Sequence, residues 1–204
     1  MPEINEQEIL NQFIDVGALL KGHFVLSSGL HSDTYLQCAK IMMYPAIATK
    51  LCTILVDNIR LSLEKISIDL HDIDVVAAPA MGGLMVGYEI ARQLDKPSIF
   101  CERVDGKFQL RRGFAVGNND KILVIEDVVT TGKSSLEARD CLIENGGQVV
   151  AVACLVNRSN DNFIEDLPLI SLLNLSIDTY SNNELPENLA KLPISKPGSR
   201  FIKK

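Results

Sequence analysis

Apolar positions recur along this chain with two distinct periods, one suited to helices and one to buried strands. Asn5 is placed to cap an opening helix with Glu8 as its reciprocal partner, and Ile9 or Leu10, Phe13, Ile14 and Gly17 mark the buried stripe. Leu20 to Leu36 sets short apolar pieces around a Ser-Ser-Gly turn, the pattern of a surface hairpin. Pro45 suits the first turn of a long helix to about Lys65, whose apolar face carries Ala46, Leu51, Ile54, Leu55 and Ile59. Four apolar runs follow: Asp74 to Ala80, Pro97 to Glu102, Ile122 to Ile125, and Gln148 to Val156. Runs without polar alternation predict strands buried on both faces.

Between these runs lie helix signals. Met81-Gly82-Gly83 opens a helix to about Leu94. Thr130 to Ser135 enters another, with Ala138, Cys141 and Leu142 at helical spacing and Gly146-Gly147 as its stop. Arg103 to Gly113 reads as a charged loop. From about Asp161 the tail carries one apolar piece, Leu167 to Leu175, and then a Pro/Asn-rich end poor in structure. Strands alternating with helices imply an α/β fold with a doubly wound, mostly parallel sheet and right-handed crossovers. In that architecture ligands sit beyond the carboxyl ends of the strands. Ala80 to Gly83, Arg103 to Arg112, Glu126 to Ser135, and Arg158 each follow such an end, so they are expected to converge on one crevice.

Composition narrows the partners. With 204 residues, 47% hydrophobic and 23% charged, the chain suits one domain with a sizeable core, or one domain plus a small appendage. A net charge of −6 argues against non-specific nucleic-acid binding, so any anion site must be local. The longest apolar run, Val149 to Val156, is far short of a membrane span, and the acidic, polar N-terminus is unlike a secretory signal. Cys38, Cys52, Cys101, Cys141 and Cys154 form no CxxC pair and do not cluster with His23, His31 or His71, so they read as reduced, buried residues of a cytoplasmic protein.

The candidate chemistry centres on the stretch KILVIEDVVTTGKSS from Lys121. Thr130 to Ser135 would present backbone amides and hydroxyls at a helix N-terminus, a phosphate cradle. Glu126 and Asp127, acceptors when ionised, could hold sugar hydroxyls just upstream; solvated strand-end charges are the competing reading. A Walker A loop is a poor fit, since it needs a glycine where this chain has Asp127. Ala80-Met81-Gly82-Gly83 would allow main-chain amides close to a pyrophosphate, or may simply ease a strand-to-helix turn. Glu102 to Arg112 carries four cations against two acids in an otherwise acidic chain. Such cations can stabilise charge developing on a leaving group, although a solvated loop would look alike.

These residues resemble a known signature. Four apolar residues, two acids, two apolar residues, then Thr, a small residue and Gly are similar to the phosphoribosyl pyrophosphate (PRPP) motif of type I phosphoribosyltransferases, with Lys133 bulkier than usual. Leu26-Ser27-Ser28-Gly29 with Ser32 and Tyr35 resembles the hood of the orotate phosphoribosyltransferases. Glu102 to Phe114 and the ending Lys196-Pro197-Gly198-Ser199-Arg200 resemble one bacterial branch of that family. A His found in many members two residues beyond the loop Lys is Gln109 here, and Arg111 or Arg112 would substitute for its charge.

The resemblance implies transfer of a phosphoribosyl group from PRPP to orotate, giving orotidine 5′-monophosphate and pyrophosphate in pyrimidine synthesis. Mg²⁺ would be held mainly through PRPP. Glu126 and Asp127 would hold the ribose, Val128, Val129, Thr130, Thr131, Gly132, Lys133, Ser134 and Ser135 the 5′-phosphate, and Met81 and Gly82 the pyrophosphate. Arg103 and Lys107 would be the catalytic cations, and Thr130, Arg158 and Tyr35 would contact orotate. The chain would be one domain, 1–204, with a hood formed mainly by about 1–42 and part of the C-terminal tail. A homodimer sharing loop residues between sites is also implied. The alternatives are a purine-type phosphoribosyltransferase and a PRPP-sensing regulator.

Overall fold

The computed structural model describes residues 5–26 and 28–195. Ser27 of the hood motif and the Lys196 to Arg200 ending lie outside the described residues. In chain order the elements are α1 (Glu6–Asp15), β1 (Leu19–Val25), β2 (His31–Leu36), α2 (Ala39–Met42), α3 (Pro45–Glu64), β3 (Val75–Pro79), α4 (Gly83–Leu94), β4 (Ser98–Val104), β5 (Lys107–Leu110), β6 (Lys121–Val129), α5 (Lys133–Glu144), β7 (Gln148–Asn157), β8 (Phe163–Ile164), β9 (Leu167–Asn174), α6 (Glu187–Ala190) and β10 (Ile194–Ser195). They divide into two compact units, one drawn from Met1–Ile41 and Ser176–Lys204, the other Met42–Leu175.

In the smaller unit α1 starts with the expected capping box between Asn5 and Glu8. Ile9 and Phe13 are buried, but Ile14 is 48% exposed, so the stripe is narrower than its sequence suggests. Strands β1 and β2 form an antiparallel hairpin, and β10 adds to β1 in parallel, giving the tail a structural role that its composition conceals. Nor is this hairpin purely superficial. His23 and His31 are buried and face one another, Nε2 to Nδ1, at 2.6 Å, and His31 Nε2 lies 2.6 Å from Asn182 Oδ1.

The larger unit holds a seven-stranded sheet in the order β5-β4-β3-β6-β7-β9-β8. The five inner strands are parallel, and β5 and β8 turn back antiparallel at the edges. Successive strand residues face opposite sides of the sheet. Ala77, Ile122 and Val124 join Ala138, Cys141 and Leu142 of α5 in one buried cluster. On the opposite side, Gly87 of α4 sits so close to Ala78 that a Cβ there would lie 2.9 Å from the alanine methyl. Helices therefore cover both faces, which explains why the inner strands read as unbroken apolar runs.

Two boundaries differ from expectation. Strand β6 does not stop at Ile125 but continues through Glu126 and Asp127 to Val129, because β7 offers backbone partners along that length. The charged loop after β4 is a second correction. It is a hairpin, with Arg103 opposite Phe108 and Val104 opposite Lys107, turning on Asp105 and Gly106 at φ 50° and 84°. Consecutive left-handed residues of this kind make the tight hairpin turn that Asp-Gly favours. Among the described residues, no helix is long and apolar enough to cross a membrane.

Candidate functional site

Glu126 and Asp127 are adjacent in β6, so the strand sends them to opposite faces of the sheet. Glu126 is 7% exposed and lines a small hollow with Val128, Val129 and Thr130 through Ser135. Asp127 is half-buried on the other side, against the Gly82 backbone, where any Cβ would come within 2.7 Å of its carboxyl carbon. Gly82 is thus required by a close approach, and the two acids straddle the end of one strand. Burial raises both carboxyls above their ordinary range. The Glu126 carboxyl is pushed up to about 8 by burial first and by the Asp127 charge second, with Arg103 pulling it down. For Asp127 the raising cause is burial, opposed by its hydrogen bond from the Val128 amide at 2.9 Å.

The turn beyond β6 is shaped by Gly132, the N-cap of α5, at φ 73°. A side chain there would be strained by the left-handed backbone and would meet Ile164 Cγ2 at 2.7 Å. The N-cap Gly132 has no side chain to cap α5, and although the Lys133 amide donates to Thr131 Oγ1 at 3.4 Å, the helix N-terminus faces the hollow that Glu126 shares. The peptide between Ala80 and Met81 is cis, and Met81 is 79% exposed at the mouth of α4.

Arg158 follows β7, and its amide donates to the Val129 carbonyl at 2.8 Å, which ties it to the residue before Thr130. Its guanidinium Nε is buried with no hydrogen-bond partner among the described residues, and burial lowers its pKa. The loop beyond it is organised by buried Asn157, whose amide donates to Asp161 O at 2.8 Å and Asn174 Oδ1 at 3.0 Å and whose carbonyl accepts from the Ser159 amide at 2.9 Å. Neither Asn157 nor its network stood out in the sequence, since a strand-terminal Asn has no periodic signal.

The structure brings together Glu126, the Thr130 to Ser135 turn, Arg158 through Val129, and Gly82 through Asp127. Arg103 lies near enough for its charge to act on Glu126. Lys107 does not join them. It stands exposed at the start of β5, beside a cavity of about 230 Å³ that it shares with Glu137, Asp140 and Glu144 of α5. Arg112, a suggested substitute for the absent loop His, is held by Glu102, its Nη2 donating to Oε1 at 2.6 Å. Tyr35 lies on β2 in the smaller unit and packs on Phe24, with ring centroids 5.6 Å apart.

The phosphoribosyl transferase domain family matches residues 53–187. The orotate phosphoribosyltransferase of Erythrobacter litoralis is 46% identical over 197 residues, 97% of this chain and 99% of that protein. The chain belongs to the orotate phosphoribosyltransferase family. The orotate phosphoribosyltransferase of Caldicellulosiruptor saccharolyticus is 44% identical, with 98% of this chain and 100% of that protein covered. The crystal structure of orotate phosphoribosyltransferase from Aeropyrum pernix aligns with a TM-score of 0.64 at 25% identity, covering 82% of this chain and 93% of that one.

Proposed function

We propose that this orotate phosphoribosyltransferase family member transfers the phosphoribosyl group of PRPP to orotate, forming orotidine 5′-monophosphate and pyrophosphate in cytoplasmic pyrimidine synthesis. The observation that carries the reading is Arg158, a half-buried side chain whose Nε is buried and unsatisfied one backbone bond from the phosphate turn. A buried donor without a partner is costly, and a carboxylate beside an imide edge, as orotate carries, would satisfy it as a charge-assisted pair.

During transfer the bond between ribose C1 and a pyrophosphate oxygen breaks, a ring nitrogen of orotate bonds to C1, and the proton that nitrogen carried passes to the departing pyrophosphate or to water. No protein nucleophile is needed. Glu126 and Asp127 would accept from the ribose hydroxyls on either side of β6, steadying positive charge as it develops on the sugar. The amides from Val128 to Ser135 would hold the 5′-phosphate, and Met81 and Gly82 would meet the pyrophosphate through their backbone. Lys107 and Arg103 would close on the leaving group, and Thr130 would contact orotate beside Arg158. The Tyr35 contact rests on the resemblance alone, as does a hood role for the smaller unit.

Magnesium fits this donor set when carried by PRPP. The site offers Glu126, Asp127 and hydroxyls rather than a protein cage, and a hard cation that keeps substrate oxygens and waters would neutralise pyrophosphate charge there. The test offers the purified protein PRPP and magnesium with orotate, uracil, hypoxanthine or adenine. Orotate alone should be consumed, and Arg158→Ala should slow that consumption at least ~10-fold while PRPP binding persists. Consumption of a purine would transfer the assignment to the purine-type enzymes.

We also propose a homodimer. Met81, Met85 and Tyr88 are 79%, 55% and 63% exposed at helical spacing from the pyrophosphate loop along α4. Tyr88 also lines a hollow with Leu84 and Phe100, and together these exposed apolar side chains suit a second copy. Sedimentation should report a dimer for the native chain and a monomer for Tyr88→Glu. A monomeric native chain would refute this.

A further inference from the structure

Taking Arg103 as a pyrophosphate-side cation, as above, the structure also identifies what holds it before substrate arrives. Its guanidinium lies 4.1 Å over the Phe108 ring, and Nη1 donates to the Gly106 carbonyl at 2.8 Å. Its Nη2 donates to Glu137 of α5, whose other carboxylate oxygen is 3.9 Å from Lys133 Nζ. Glu137, Asp140 and Glu144 recur on one face of α5 and line the same cavity as Lys107. Both cations of the β4–β5 hairpin are therefore associated with an acidic helix face of their own chain. Of the two, Arg103 is the one held by an ion pair.

We propose that Glu137 is a positioning residue that latches Arg103 onto α5 in the ligand-free protein and releases it to pyrophosphate. The two side chains are 39% and 33% exposed, so water screens the pair. A pair this accessible biases an equilibrium by about fivefold at most, weak enough for a multiply charged phosphate to displace. Glu137 would thus compete with pyrophosphate for one guanidinium, and its loss would tighten pyrophosphate binding rather than weaken it. A residue serving only to stabilise α5 would not have that effect.

The experiment measures inorganic pyrophosphate binding by calorimetry for the native protein, Glu137→Gln, Arg103→Ala, the double variant and Glu64→Gln, with thermal melts to establish folding. Glu137→Gln should lower Kd about 3–5-fold, in line with the small coupling of an exposed pair. Arg103→Ala should raise Kd at least ~10-fold, as loss of a charge-assisted contact does, and the double variant should match it. Glu64→Gln, at the exposed end of α3 and outside the cavity that Lys107 lines, changes net charge equally and should leave Kd unchanged. An unchanged or higher Kd for Glu137→Gln, with Arg103→Ala still damaging, would overturn the latch alone. Tightening that persists without Arg103, or that Glu64→Gln reproduces, would also overturn it by revealing a general charge effect. Should Arg103→Ala bind pyrophosphate normally, the role assigned to Arg103 itself fails.

Discussion

Lys107→Ala should lower kcat by about 10²- to 10³-fold, on the order of ~3 kcal/mol of transition-state stabilisation, as expected for loss of one preorganised donor at a developing charge. PRPP and orotate KM values should change far less. The asymmetry follows from where Lys107 rests: it lines the α5 cavity with Glu137, Asp140 and Glu144, outside the group formed by Glu126 and the phosphate turn. A cation that reaches pyrophosphate only as the bond to C1 lengthens contributes to the barrier and little to ground-state binding. Lys107→Arg keeps the charge but replaces a compact ammonium with a planar fork, so only partial recovery is expected. Steady-state kinetics with both substrates varied decide the matter. A kcat for Lys107→Ala within about twofold of the native value would remove Lys107 from the mechanism.

Glu126→Gln should make the ligand-free protein more stable at pH 8.5 while depriving it of activity. Burial and the neighbouring Asp127 raise the Glu126 carboxyl from 4.5 to about 8. Below about pH 4.5 folded and unfolded chains both hold that proton. Between 4.5 and 8 only the folded chain does, so this group's contribution to stability falls as pH rises and is fully lost above the folded value. Asp127, also raised by burial, acts in the same direction. The glutamine variant has no such group, and its stability advantage should grow from near zero at pH 5 to ~2–4 kcal/mol at pH 8.5. Urea unfolding across that range measures the difference. Turnover should drop at least ~10-fold, since an amide is a poorer partner for ribose hydroxyls beside a developing cation. Parallel pH slopes for the two proteins would show that Glu126 is not strained by its burial.

Such strain is consistent with a site built for a ligand. Two acids raised by burial at a strand end, and a guanidinium with an unpartnered Nε, lower stability in the free protein and would be satisfied by sugar hydroxyls and an anion. The latch on Arg103 follows the same logic with opposite charge. On these proposals each group assigned to substrate would meet its best partner only when substrate arrives.

Much of the arrangement was legible in the chain. Unbroken runs such as Ile122 to Ile125 mark strands covered on both faces, because a strand with helices on each side has no solvent position to alternate with. Gly132 and Gly82 signal tight backbone where a turn follows a strand, and the acids between them lie at the open end of the parallel sheet. The Asp105-Gly106 turn was also present as a dipeptide, though the cations around it made the hairpin look like a loop.

Tertiary structure decided the rest. How far β6 runs depends on β7 as a partner, and with that comes the separation of Glu126 and Asp127 onto opposite faces. The tail's β10 exists because β1 has a free edge, not because Ile194 and Ser195 favour a strand. Glu137 meets Arg103, 34 residues away, only because β5 folds back beneath α5. Local pattern records which residues a chain must bury, whereas pairings between distant polar groups depend on which surfaces packing brings together.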